Sequence, residues 1–439
     1  MPRKCFRIAA SFILAATGVL PVISSSTSPA SNYKVIYSFT GGSDGGQPVS
    51  DLTLDSAGNL YGTTSQGGTG TACSGGCGTV FELKRSADGW KEEVLHSFLG
   101  GLDGASPQAG VIFDNSGNLY GTTALGGNGY GYGTVFKLTP NPSGGWTEWI
   151  IYSGFNCYGN AVGCVPESDL VFDAQGNLYG TTSEGNGTCL GNGCGAVFKL
   201  TPQPNGPWTE TTLHSFSDPP DGGVPSGVVV DSDGSIYGLT TYGGTGQCNP
   251  NLLYGYVLGC GILYKLTPNS GTTWTETILY NFARGGGFGR YPSGALFFDS
   301  PNHLFGVTRA GGDGIGSIFE LLNTGKGGWQ ESEAHIFFGD PDGARPVGRL
   351  VRDTSGNLIG VTGAGGGTNG NGIVYELEHS KSGWKERILH RFAGPQYELN
   401  PLAGVVSDTQ GHLYGTTKNG GGGSCTLGCG KVYELLPDP

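Results

Sequence analysis

Positive charge is scarce in this 439-residue chain, which carries 23 Lys and Arg against 35 Asp and Glu, a formal net charge of −12 at pH 7. A surface of that sign repels phosphate backbones, so nucleic acid is not an expected partner. Long apolar runs are also lacking beyond the first 20 residues, and nothing later is apolar enough to cross a bilayer as a helix. Histidine is sparse, at seven residues, and none stands close in sequence to a cysteine pair. Without a second ligand cluster at zinc spacing, neither a metal nor a cofactor is expected.

What the N-terminus does contain is a basic stretch, Met1 to Arg7, an apolar run from Ile8 to Leu20, and small residues ending in Ser28-Pro29-Ala30. That order describes a secretory signal peptide over residues 1–30, cleaved after Ala30. Cys5 precedes the apolar run and the chain stops at Pro439 without an apolar tail, so no membrane anchor is expected. Cleavage removes Arg3, Lys4 and Arg7 and no acid, which takes the charge from −12 to −15. The expectation is a monomer, secreted or periplasmic.

Ten cysteines remain after such a cleavage, in five close pairs: Cys73 with Cys77, Cys157 with Cys164, Cys189 with Cys194, Cys248 with Cys260, and Cys425 with Cys429. In an oxidising compartment, neighbours of this kind at the two ends of a loop form disulfides. Loops this short gain about 2 kcal/mol or less from closure, so the bridges stiffen loop tips more than they hold the fold.

Glycine reaches 85 residues, yet it recurs at fixed places in a pattern rich in Val, Ile, Tyr, Phe and Thr. The clearest marker is a Leu-Tyr-Gly-Thr-Thr phrase beginning at Leu60, Leu119, Leu178, Ile236, Leu304, Leu358 and Leu413, at steps of 59, 59, 58, 68, 54 and 55 residues. A unit of that length has room for four short strands. In the second copy these are Gly110 to Phe113, Leu119 to Thr123 after a tight Asp114-Asn-Ser-Gly-Asn118 turn, Gly133 to Leu138, and a Trp-containing strand of the type Trp90 to Phe98. One such sheet cannot bury both faces alone, whereas seven arranged radially bury one another, which is an all-β, seven-bladed β-propeller of four-stranded antiparallel blades over residues 31–439. The last copy ends after Lys431 to Leu435 with no Trp strand to follow, and the chain opens on a spare strand, Lys34 to Phe39. Ring closure by the N-terminal strand joining the last blade is therefore expected.

The phrases Ser-Phe-x-Gly-Gly-x-Asp-Gly-x-x-Pro, Asp-x-x-Gly-Asn-Leu-Tyr-Gly-Thr-Thr and Gly-Thr-Val-Phe-x-Leu resemble the GloVer tandem repeat of exported bacterial proteins, over essentially all of residues 33–436. The resemblance implies a secreted repeat protein and no established reaction, so it carries no catalytic residue to this chain.

Residues present in every copy read as scaffold. The Asp of each turn, from Asp55 to Asp408, suits acceptance of backbone N–H groups rather than a calcium ladder, and the strand glycines, from Gly62 to Gly415, suit close approach of a neighbouring sheet. His96, His214, His335 and His390 share a slot with Tyr37, Tyr152 and Tyr280, which suits a packed, polar-tipped position rather than a proton shuttle.

Function is sought where copies differ, on the face where the cysteine loops and the starts of the innermost strands emerge together. Two sets stand out there. Tyr130, Tyr132, Tyr242, Tyr254, Tyr256, Tyr291 and Tyr397 suit stacking on sugar rings or peptide contact, or else cap the loops. Arg284, Arg290, Arg309, Arg345, Arg349 and Arg352 cluster in the fifth and sixth copies and suit bidentate pairing with a carboxylate or uronate, or else balance Asp340, Asp342 and Asp353. The expected function is an extracellular ligand-binding or interaction module for polysaccharide or protein. The alternatives are a lyase or hydrolase on an acidic glycan, with a Tyr or His as base beside the arginines, and a purely structural envelope component.

Overall fold

The computed structural model describes residues 32–437 apart from 129–130, 159–161, 186, 188, 190–192, 205, 218, 247, 249–258, 284–288, 301, 312–313, 326–327, 368–369 and 395–398. Among these residues the strands pair into seven four-stranded antiparallel sheets arranged as a propeller ring. The first blade runs outward through Thr53–Leu54, Leu60–Thr64, Thr79–Ser86 and Gly89–Ser97, so the Trp-containing strand is outermost. The innermost strands lengthen in blades four to six, to Gly222–Val230, Gly289–Ser300 and Ala344–Arg352. Among the described residues no helix is long and apolar enough to cross a membrane.

Closure follows the expected route. Asn32–Ser38 pairs antiparallel with Lys431–Leu436, matching Tyr33 to Leu435 and Tyr37 to Val432, and becomes the outer strand of the blade built from Val405–Ser407 and Leu413–Thr417. The first and last described strands are thereby held in one blade, which closes the ring.

The repeat explains the core blade by blade. Gly62 stands opposite Phe81 in the ladder, and a Cβ there would meet Phe81 Cζ at 2.7 Å and Leu52 Cδ2 at 2.9 Å. The strand glycine thus makes room for the aromatic ring of its own sheet, not for a neighbouring sheet as expected. That ring is met edge-on by the Phe that ends the preceding outer strand. Phe39 meets Phe81 at 5.1 Å between centroids, and the pairs Phe98–Phe136, Phe155–Phe198, Phe216–Tyr264, Phe282–Phe319, Phe337–Tyr375 and Phe392–Tyr433 repeat the contact at 5.1–5.4 Å. One aromatic pair bridges each of the seven junctions, in the geometry that ring quadrupoles favour.

Five of the seven Asp turns behave as expected, while Asp231 accepts from the Ser232 N–H and Asp299 engages His303 and Arg352. Asp55 Oδ1 accepts the N–H groups of Ala57 and Asn59 at 2.8 and 2.9 Å, while its Oδ2 accepts from Asn59 Nδ2 and the Tyr61 hydroxyl. The two backbone bonds recur at Asp114, Asp173, Asp353 and Asp408.

A further device was not legible in the sequence. The residue before the proline at or near the start of each innermost strand is left-handed in all seven copies: Gln47, Ser106, Val165, Val224, Tyr291, Arg345 and Asn400, with φ between 39° and 59°. For β-branched valines this costs about 1–3 kcal/mol each and needs compensation. The compensation is an inter-blade bond: Ser106 N–H donates to Cys77 O at 2.8 Å, Val224 N–H to Cys194 O at 2.9 Å, and Arg345 N–H to Ile315 O at 2.8 Å. Six of the turns, those at Gln47, Ser106, Val165, Val224, Tyr291 and Arg345, clip a blade to its predecessor in this way and aim the next residues into the central channel.

Candidate functional site

The innermost strands surround a channel, and at the end where they begin it opens into a cavity of about 450 Å³ to which all seven blades contribute. The third residue after each proline, or in the fourth blade the second, gives Asp51, Gly110, Asp169, Gly227, Ala295, Arg349 and Gly404, of which Asp51, Asp169, Gly227, Ala295 and Arg349 line the cavity. Small residues predominate because the backbones converge here; a Cβ on Gly404 would lie 2.5 Å from Arg349 O. The residue after each Thr-Thr phrase adds Arg309 and Lys418 to the lining, and Glu167 follows its proline directly.

The charges are segregated. Blades one and three supply Asp51, Glu167 and Asp169, whereas blades five, six and seven supply Arg309, Arg349 and Lys418. The two acids of the inner ring are held by backbone across blade junctions: Asp51 Oδ1 accepts the Gly404 N–H at 2.6 Å and Asp169 Oδ1 accepts the Gly110 N–H at 2.7 Å. Arg349 Nε stands 4.0 Å from Asp51 Oδ2, close enough for attraction but too long for a good hydrogen bond. Burial pushes the Asp51 carboxyl up to about 6, the Asp169 charge adds to the rise, and the Arg349 guanidinium and the Gly404 N–H pull it back.

The structure thus brings two of the sequence-identified arginines, Arg309 and Arg349, into one cavity. It leaves Tyr132, Tyr242, Arg290, Tyr291 and Arg345 outside that lining. Arg345 is exposed at its left-handed turn. Arg290 pairs in the strand ladder with Ala310, beside Arg309. Tyr132, Tyr242 and Tyr291 are half-buried; Tyr242 and Tyr291 pack edge-on at 5.7 Å, and Tyr132 and Tyr291 also lie against hydrophobic clusters. Tyr130, Tyr254, Tyr256, Tyr397 and Arg284 lie outside the described residues.

Among the described residues no ion pair joins these arginines to Asp340, Asp342 or Asp353. Arg352 pairs with Asp299 at the opposite end of the channel and lies over the Phe297 ring, while Asp342 engages His335 and Asp340 accepts the Gly367 N–H. Sequence reasoning missed Asp51, Glu167, Asp169 and Lys418. The signal for them was a slot-by-slot comparison after each proline, where glycine or alanine gives way to a charge.

Five disulfides, Cys73–Cys77, Cys157–Cys164, Cys189–Cys194, Cys248–Cys260 and Cys425–Cys429, join the expected pairs. Cys77, Cys194 and Cys429 also supply the carbonyls that accept the left-handed N–H groups, so these bridges brace the blade clips.

Several solved structures are similar. A gluconolactonase of Xanthomonas campestris shares 16% identity over 69% of this chain and 82% of its own, with a TM-score of 0.37. PorZ, a surface component of the type-IX secretion system of Porphyromonas gingivalis, shares 16% over 88% of this chain and 46% of its own, with a TM-score of 0.48. An ulvan lyase shares 11% over 70% of this chain and 78% of its own, with a TM-score of 0.40. No curated protein matches the chain. The pattern of the Gloeobacter/Verrucomicrobia repeat matches residues 17–252 and 190–433, nearly the whole ring, and the chain belongs to that repeat family.

Proposed function

We propose that this protein is exported and binds an extracellular polysaccharide bearing carboxylates at the charged mouth of its channel. The observation that carries the reading is the division of one seven-blade cavity into a cationic side, Arg309, Arg349 and Lys418, and an acidic side, Asp51, Glu167 and Asp169. A uronate ring meets both demands at once: guanidinium groups bind its carboxylate and ionised acids accept its hydroxyls. The cavity volume lies within the usual range for small-ligand sites, about 300–1,000 Å³. Export accords with the basic and apolar sequence of residues 1–30 and with five disulfides.

The test is a titration of uronate-containing and neutral oligosaccharides into the protein and its Arg309→Ala, Arg349→Ala double variant. The wild type binds the acidic glycans and the variant loses at least about tenfold in affinity. Equal binding of both proteins, or preference for neutral glycans, removes the reading. The pH dependence is a second check. The Asp51 carboxyl is raised in the fold, so it becomes neutral as pH falls through about 6 and leaves Arg349 unopposed. Affinity for the acidic glycan therefore rises from about pH 7 to about pH 5, and Asp51→Asn flattens that rise.

The enzymatic reading has one observation in its favour. Asp51 and Asp169 share the cavity, and burial raises the Asp51 carboxyl to about 6, in the direction that a general acid of glycoside hydrolysis requires. A lyase is less well served, since the described residues lining the cavity include no Tyr and no His. Release of reducing ends by the wild type and not by Asp51→Asn would move the assignment from binding to hydrolysis.

A further inference from the structure

The histidine slot of the outer strand acquires partners that no single repeat contains. His96 Nε2 lies 3.4 Å from Asp103 Oδ2 and 3.5 Å from Glu148 Oε2 of the next blade. His214 Nε2 stands 3.3 Å from Asp221 and 3.8 Å from Glu276, and His335 Nε2 stands 3.2 Å from Asp342 and 4.0 Å from Glu386. Each cluster thus joins an outer-strand His, an Asp from the loop that follows it, and the Glu two residues after the next blade's Trp.

Three observations point the same way. In each cluster the donor atoms all lie within 4.8 Å of one another. In the first the imidazole distances match the edge of a tetrahedral site, since ligands about 2.0–2.1 Å from an ion stand about 3.3 Å apart. In the second and third the Glu must close by roughly 0.5–0.7 Å to reach it. Next, one Glu oxygen in each cluster, Glu148 Oε1, Glu276 Oε1 and Glu386 Oε1, is shut away from solvent without a hydrogen-bond partner. Two ionised carboxylates, which only accept, need something positive between them. Last, each Asp is oriented by a backbone N–H, from Leu99, Ser217 or Phe338, as outer contacts orient metal ligands.

We infer that these three His–Asp–Glu clusters are divalent-cation sites of the zinc type, each stitching one blade to the next. The ligand set is nitrogen and oxygen with one imidazole, and the His rings are 19–22% exposed, which leaves room for a water as fourth ligand and a path for the ion. The sites alternate around the ring. At the intervening junctions Tyr37, Tyr152 and Tyr280 replace the imidazole beside Glu92, Glu210 and Glu331. His390 is no fourth site, because it stacks on Tyr33 at 4.1 Å where the other junctions have their Glu. Arg391 acts on Glu386, so the third site is the weakest. The alternative occupant is a proton shared by Asp and Glu.

The experiment is equilibrium dialysis of the exported, untagged protein against zinc, with metal content read by elemental analysis. The expected content is three ions per chain, or two if Arg391 keeps the third site closed, and His96→Gln lowers it by one. Zinc also raises the thermal midpoint of the wild type and does so less for the triple variant His96→Gln, His214→Gln, His335→Gln. Gln keeps the size and polarity of the slot, and melting without zinc verifies that the variant folds. Fewer than two ions per chain, or a content unchanged in the triple variant, overturns the inference and leaves the shared proton as the occupant.

Discussion

Removing residues 32–39 leaves a chain without a cooperative thermal transition and prone to self-association. That segment contributes the fully buried Phe39 and the half-buried Tyr33, Ile36 and Tyr37, which pack against Phe81, Tyr414, Val432 and Tyr433 in the last and first blades. At about 1.5–3 kcal/mol for a fully buried side chain, and less for the half-buried ones, their loss is on the order of 5–10 kcal/mol. A domain's whole stability is about 5–15 kcal/mol. The deletion also bares the ladder edge of Lys431–Leu436, which then pairs with other chains. Circular dichroism melting and size-exclusion chromatography read both effects. A monomer melting like the full ring would mean that the first strand is dispensable.

The second large effect belongs to the aromatic pairs. Phe216→Ala lowers stability by about 3–5 kcal/mol, because Phe216 is fully buried and fills the junction between the third and fourth blades against Tyr264. Phe98→Ala and Phe337→Ala cost similar amounts, since the same contact repeats around the ring. The partner position behaves in the opposite sense. The hydroxyl of Tyr264 is buried without a hydrogen-bond partner, and four of the seven copies place Phe in that slot. Tyr264→Phe therefore raises stability by about 1 kcal/mol. Denaturant midpoints at constant slope measure both changes. A Phe216→Ala cost under about 1 kcal/mol would show that the junctions are held by something else.

The architecture was legible because it is written seven times. The spacing of the Leu-Tyr-Gly-Thr-Thr phrases, the spare strand at Lys34 and the close cysteine pairs each constrain local geometry, and repetition turns a local constraint into a ring. The left-handed turns escaped notice for a physical reason. A residue before proline ordinarily avoids the helical region, and nothing in Val165 or Val224 signals a positive φ until the carbonyl that accepts its N–H is placed one blade away. The site was legible only in half. Arg309 and Arg349 stood out as basic residues in an acidic chain, but their counterparts Asp51 and Asp169 look like ordinary loop acids and meet them only across the channel. The histidine slot was legible as a packed, polar-tipped position, and His96, His214 and His335 do pack edge-on against Phe98, Phe216 and Phe337, but the carboxylates facing them come from the following loop and the next blade.

Closure of the ring underlies both the shared cavity and the inter-blade clusters, and lysine cross-linking of the native protein followed by mass spectrometry tests it without any substitution. Lys34 sits on the first strand opposite Glu434, and Lys431 lies in the partner strand opposite Ser38. A linkage between the peptides holding Lys34 and Lys431, formed within a single chain, is the expected product. Recovery of Lys34 linked only to lysines of the first blades, with none joining it to the C-terminal strand, would contradict a closed ring and every site built on it.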